Sequence, residues 1–253
     1  MVYELQKACL WKRIAAWLFD GILLSILAVG LAFLLSLAFH YNRYSDQISD
    51  AYLAYESSCG VSLDISQEEY ENLSPADKLA YDSAYEMLIR DEDVLYAYNM
   101  AVNLSLVITS ISILAAALVL EFIVPLFFKN GQTLGKKIFS LCLVRSDGVK
   151  INTLQLFTRT VLGKFTIEIM IPVYIILMLF WGITDLSGTL VLGGLLLAEM
   201  ITLIVSQRNA AIHDLLAGTA VADFSGQMIF ESEEELIAFK KKIHSDWAAK
   251  QDY

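Results

Sequence analysis

Four stretches of the 253-residue chain are almost wholly apolar: residues 14–39, 100–128, 165–183 and 189–206. About 20 consecutive apolar residues suffice for a helix to cross the hydrocarbon core of a bilayer, so the pattern predicts four transmembrane helices. The first run has 26 residues and at 1.5 Å per residue reaches roughly 39 Å, enough to span with some tilt. It is longer than a signal-peptide core and ends without a small-x-small cleavage site, which predicts an uncleaved anchor and a mature chain starting near Met1. A short Thr-Asp-Leu-Ser-Gly turn joins the last two runs into a helical hairpin.

The polar stretches have their own patterns. Ser66-x-x-Glu69 and Ser74-Pro75-x-Asp77 are helix starts, so residues 41–99 are expected to be mostly helical. Apolar residues flank Asp147-Gly148, a pair suited to the positive φ angles of a tight turn, which predicts a small cytoplasmic β-hairpin. Asn152 or Thr153 can cap the helix that follows it. In the tail, Ser232 and Glu235 form a capping box, and Leu236, Phe239, Ile243 and Trp247 recur on one face beside Lys240, Lys241 and Lys242. Such a helix can lie on an anionic inner leaflet or dock on a partner. The expected fold class is therefore all-α: a polytopic membrane protein with four transmembrane helices, a helical extracytoplasmic insert and a small cytoplasmic β-hairpin. The segments are residues 1–40 (first span), 41–99 (insert), 100–223 (membrane core) and 224–253 (cytoplasmic amphipathic tail).

Composition agrees, at 57% hydrophobic and 18% charged residues with mean hydropathy +0.55. The formal net charge of −10 is more informative once it is located. Residues 40–100 hold 13 Asp/Glu against 3 Lys/Arg, so the insert owns the acidity and the rest of the chain balances. Nucleic acid is thereby excluded as a partner of that segment. Nine of the 12 tyrosines also lie there, some close enough to the spans to sit at headgroup level. Lys and Arg cluster before span one, between spans two and three, and after span four. The positive-inside rule then predicts a multi-pass protein of the cell membrane with both termini cytoplasmic. Cys9, Cys59 and Cys142 are far apart in sequence, with no zinc-ligand spacing. No nucleophile elbow, phosphate loop or metal-ligand pair is present, so no enzyme, cofactor or metal is expected.

Three short motifs recur in a fixed order along the chain. Arg13-Ile14-Ala15-Ala16-Trp17-Leu18-Phe19-Asp20 opens span one, Gly131-Gln132-Thr133-Leu134-Gly135-Lys136-Lys137 follows span two, and Arg208-x4-His213-Asp214-x-x-Ala217-Gly218-Thr219 follows span four. Together they resemble the RDD family of membrane proteins, named for one arginine and two aspartates, which would be Arg13, Asp20 and Asp214. The resemblance covers residues 12–45 and 100–223 and implies a small polytopic protein with a transport role as one expectation. Arg159 matches an arginine the family tends to carry after its hairpin.

Each apolar run carries one carboxylate: Asp20, Glu121, Glu168 and Glu199. A charge at the bilayer centre costs at least about 2.5 kcal/mol on insertion scales, so these positions call for a role. Asp20 lies 7 residues beyond Arg13, Glu121 7 before Phe128 and Glu199 7 before Ser206, each roughly 10 Å above the inner interface. Glu168 is shallower. One expectation is that the three matched acids converge on a hydrated cavity that binds a monovalent cation or protons, with Pro125 and Pro172 marking helix breaks. The other is an interhelical ion-pair network drawing on Arg13, Arg208, Asp214, Arg159, Lys164 and His213, with no flux. Arg13 and Asp20, two turns apart on one helix face, cannot pair directly. The functional expectations are thus a transporter of monovalent cations or protons, or a non-transporting membrane adaptor or assembly factor. Lipid bilayer, and either a homo-oligomer or a membrane protein partner, complete the expected interactions.

Overall fold

A computed structural model describes residues 8–128, 130–169, 186–206 and 210–251. The third apolar run therefore lies mostly outside the described residues. The chain divides into two compact units: residues 30–111, and residues 1–29 together with 112–253. Two described helices are long and apolar enough to cross a membrane: α1 (Leu10–Ala38) and the continuous helix from Glu92 to Phe127. The latter comprises α5 (Glu92–Leu118), a π-helical turn π1 (Val119–Ile123) and α6 (Val124–Phe127).

In the unit of residues 30–111, α2 (Tyr41–Cys59), α3 (Gln67–Glu71) and α4 (Pro75–Arg90) precede the start of α5. Ser66 and Ser74 cap α3 and α4 through Glu69 N–H and Asp77 N–H. Between α2 and α3 the chain reverses at Gly60, whose φ of 70° suits a residue without a side chain. Glu56 holds that reversal by accepting from Ser62 and from the Leu63 amide at 2.9 and 2.7 Å. Leu63, Ala84 and Leu88 form the core, flanked by Tyr52, Tyr55 and Tyr81. Tyr55 donates to Asp91 at 2.9 Å. Tyrosine serves here because its ring fills the small core while its hydroxyl reaches a carboxylate.

In the other unit, α7 (Leu134–Ile138) leads into β1 (Leu141–Arg145), and α8 (Thr153–Phe157) runs on as a long π-helical stretch, π2 (Thr158–Ile169). Then come α9 (Leu186–Val205), α10 (Ile212–Ala217), β2 (Thr219–Asp223) and α11 (Glu233–Gln251). Asn152 caps α8, accepting from the Gln155 amide at 2.7 Å.

The expected local hairpin around Asp147-Gly148 is corrected. β1 instead pairs antiparallel with β2, from Leu141 opposite Asp223 to Arg145 opposite Thr219. The tight turn does form, with Gly148 at φ 92° and Val149 N–H donating to Asp147, but the returning arm makes only one antiparallel bridge, Val144 to Lys150. The reason is burial. Leu141 and Leu143 pack on one face with Ala8, Ala16, Leu156 and Val221, while Cys142 and Val144 pack on the other with Ala222. A strand buried on both faces needs a partner that is apolar on both, as Ala220-Val221-Ala222 is and Val149-Lys150-Ile151-Asn152 is not.

Val149 pairs instead with Phe230, and the tail helix α11 settles there, with Leu236 and Phe239 against Val149 and Phe230. Two of the tail's apolar residues, Leu236 and Phe239, are thus covered by the chain's own residues. Glu231 and Glu233 reinforce the contact through Lys150 and Arg145, at 2.7 and 2.5 Å.

Candidate functional site

Three polar clusters gather the motif residues, all within the unit that carries the sheet. The first centres on Asp214 in α10. Asp214 is fully buried and pairs with Arg159 of π2 at 2.8 Å and with Arg13 of α1 at 3.1 Å. Its second oxygen also accepts from the Ala211 amide at 3.3 Å, tying the carboxylate to the start of its own helix. Arg159 reaches His213 Nε2 at 3.0 Å. Burial alone would raise the Asp214 pKa, but Arg159, His213 and Arg13 overcome it and hold the carboxyl well below the usual range. One carboxylate thereby joins three segments that are distant in sequence.

Gly163 makes this approach feasible. A Cβ at that position would lie 2.6 Å from His213 Cβ and 2.9 Å from its Cα, so α10 packs directly on the π2 backbone. The small residue is required by the contact, since π2 and α10 could not otherwise bring Arg159 and Asp214 together.

The second cluster is built on Asp20. Its two oxygens accept from the Thr133 hydroxyl at 2.6 Å and the Gly135 amide at 2.7 Å, so α1 holds the start of α7. Thr133 also caps α7 through the Lys136 amide. A Cβ on Gly135 would press into the Asp20 carboxyl and the Ala16 carbonyl. The spacing Gly-Gln-Thr-Leu-Gly is therefore the shape that lets a backbone N–H meet a carboxylate on a neighbouring helix. Arg159 and Lys164, expected in the ion-pair network, pair with Asp214 and Glu121 instead.

The third cluster lies at π1. Pro125 lacks an N–H and its ring would strike the carbonyl four residues earlier, which belongs to Glu121. Rather than breaking, the helix widens into a π turn, in which the Val124 N–H reaches Val119. The Thr160 hydroxyl donates to the Glu121 carbonyl at 3.2 Å. The Glu121 carboxylate pairs with Lys164 of π2 at 2.9 Å, both side chains buried. Nearby, buried Lys136 donates from its amine to Thr133 at 3.4 Å. Burial, only partly offset by Glu121, pushes the Lys136 amine down to about 8.

The residues expected at the site divide among different direct partners, while buried Lys136 is within electrostatic range of both Asp20 and Glu121. Asp20 and Glu121 take different partners, whereas Arg13, Arg159, His213 and Asp214 come together. Arg208 and the side chains of Glu168 and Glu199 lie outside the described residues. Thr133, Lys136, Thr160 and Gly163 were not singled out as site residues from sequence. Only Thr133 and Lys136 had a signal, their place in the motif after span two.

No curated protein and no solved structure matches this chain. The RDD family model matches residues 7–218, a stretch that contains all three clusters. With the apolar helices α1 and α5–π1–α6, that match identifies the chain as a helical membrane protein belonging to the RDD family.

Proposed function

We propose that this protein is a four-span protein of the cell membrane, with both termini cytoplasmic, that serves as a non-transporting adaptor or assembly factor. In this role Arg13, Asp20, Arg159 and Asp214 form a latch that fixes the first helix to the sheet-bearing unit. One observation carries the reading: the donors around Asp20, Glu121 and Asp214 come from the chain itself. A cation binding at any of these acids would have to displace an ammonium, a guanidinium or two hydrogen bonds, at a cost of several kcal/mol in a dry setting. The insert exposes Leu53, Leu79 and Met87 on its helices, apolar side chains that a partner can cover.

Two experiments test this together. Proteoliposomes holding the full chain, under imposed sodium, potassium and pH gradients, should show no ion-driven pH change above empty vesicles. Cross-linking in the native membrane should return a reproducible membrane protein partner. Ion-coupled flux that Asp20→Asn abolishes without unfolding the protein would replace the adaptor with a transporter.

A transporter remains the second reading because of one feature. Facing π-helical segments bring a buried acid, Glu121, against Lys164 and within electrostatic range of Lys136, and π distortions recur at functional sites. Flux that survives Asp20→Asn but is lost in Glu121→Gln would favour it.

A further inference from the structure

The sheet-bearing unit has its polarity inverted where its short helices meet the surface. On α10, His213 and Asp214 are buried while Leu215 and Leu216 are 57% and 60% exposed. On α8 and π2, Arg159, Thr160 and Lys164 are buried while Leu154 and Leu162 are 71% and 55% exposed. On α7, Lys136 is buried while Ile138 is exposed, and on α1 Trp11 is exposed beside Lys12. A surface in water shows the reverse arrangement, because an apolar side chain gains by leaving water and a charged one loses.

We infer that α8, the beginning of π2 and α10 are immersed in the headgroup–acyl boundary of the bilayer, so that phospholipid covers the Asp214 ion pairs. The occupant follows from continuity and charge. α10 contacts α9, whose last turns expose Ile201, Ile204 and Val205, so the exposed leucines of α10 stand beside a second helix that also presents apolar side chains. Trp11 leads in the same way into the exposed Trp17, Leu18 and Ile22 of α1. Tryptophan and lysine side by side at a helix end suit the headgroup level, where the ring meets acyl chains and the ammonium meets phosphate. α10, with six residues, is too short to span; a helix of that length lies in the interface plane with its apolar side down. The inference rests on the membrane reading of α1 and does not depend on the adaptor reading.

The test uses the full chain in phosphatidylcholine–phosphatidylglycerol vesicles, with Cys9→Ser, Cys59→Ser and Cys142→Ala as background. Single cysteines Leu154→Cys and Leu215→Cys carry an environment-sensitive fluorophore; Ile26→Cys in α1 is the span control and Glu234→Cys in α11 the water control. Labels at 154 and 215 should shift to the blue of the Glu234 label, lose intensity to lipids spin-labelled near the headgroup, and resist aqueous iodide. Emission and iodide quenching equal to those at Glu234, with Ile26 still quenched from lipid, would overturn the inference and leave the span intact. Protection from both quenchers, with cross-links between labelled copies, would assign the surface to a second copy and equally overturn it. Leu216→Cys and Ile138→Cys repeat the measurement if either first variant fails to fold.

Discussion

Asp214→Asn is the sharpest perturbation of the latch. Asparagine keeps the shape and one acceptor oxygen but removes the charge that lies between Arg159 and Arg13, at 2.8 and 3.1 Å. The Asp214 and Arg159 side chains are almost wholly buried. Deleting one partner of a buried pair strands the other in a low-dielectric setting and costs about 3–5 kcal/mol. A whole domain is stable by only about 5–15 kcal/mol, so the loss should be plain in an unfolding curve of the detergent-solubilised or reconstituted protein. Glu86→Ala is the matching control. The Glu86–Arg90 pair spans 3.8 Å on the exposed face of α4, and such pairs are worth at most about 1 kcal/mol.

The double variant Asp214→Leu with Arg159→Met should lose less than the two single losses combined, with a coupling of about 0.5–3 kcal/mol. Asp214 has a folded pKa below its unfolded value of about 3.9. Its stabilisation is therefore full above that value and fades as pH falls toward the folded one. The wild type should lose stability in acid below pH about 4, and Asp214→Asn should lack that component. An Asp214→Asn protein within 1 kcal/mol of wild type, with the same acid transition, would refute the claim that this carboxylate organises the unit.

Four further outcomes follow from the same geometry. Thr160→Val removes the hydroxyl that serves the carbonyl freed by Pro125 and should cost about 1–3 kcal/mol by chemical denaturation, an effect that Pro125→Ala should diminish. Gly163→Ala should destabilise by about 1–3 kcal/mol because its methyl meets His213; Gly193→Ala in α9, where no atom of the described residues lies within 4 Å of the added methyl, should be neutral or stabilising by up to about 1 kcal/mol. Lys136 has a folded value of about 8, below the unfolded value of about 10.4, so stability should rise between those pH values, and Lys136→Met should abolish that rise. Exposed Cys9 should react with maleimide in the folded protein; Cys142, buried and pushed up to about 11, should react only on unfolding, as mass spectrometry will read.

The parts of this protein that were legible in its sequence are those a short window of residues decides. The apolar runs that became α1 and the helix from Glu92 to Phe127 need no distant partner, because in lipid a helix satisfies its own backbone. Caps at Ser66, Ser74 and Asn152 act within three residues, and each is present. The three motifs, in order, were enough to indicate the family.

Contacts across the chain were decided elsewhere. Asp147-Gly148 correctly marks a turn, yet β1 pairs with a strand more than 70 residues on, because the choice depends on which segment can bury both faces of Leu141–Arg145. Matched depth made Asp20 and Glu121 look like members of one site, but depth is a single coordinate. Rotation about each helix, set by Gly135 against Ala16 and by the π turn at Pro125, turns the two acids toward different donors. Sequence by itself determined the local backbone and the chemical types available; tertiary structure alone decided which donor each carboxylate meets, since that pairing depends on close approaches between segments that no periodicity encodes.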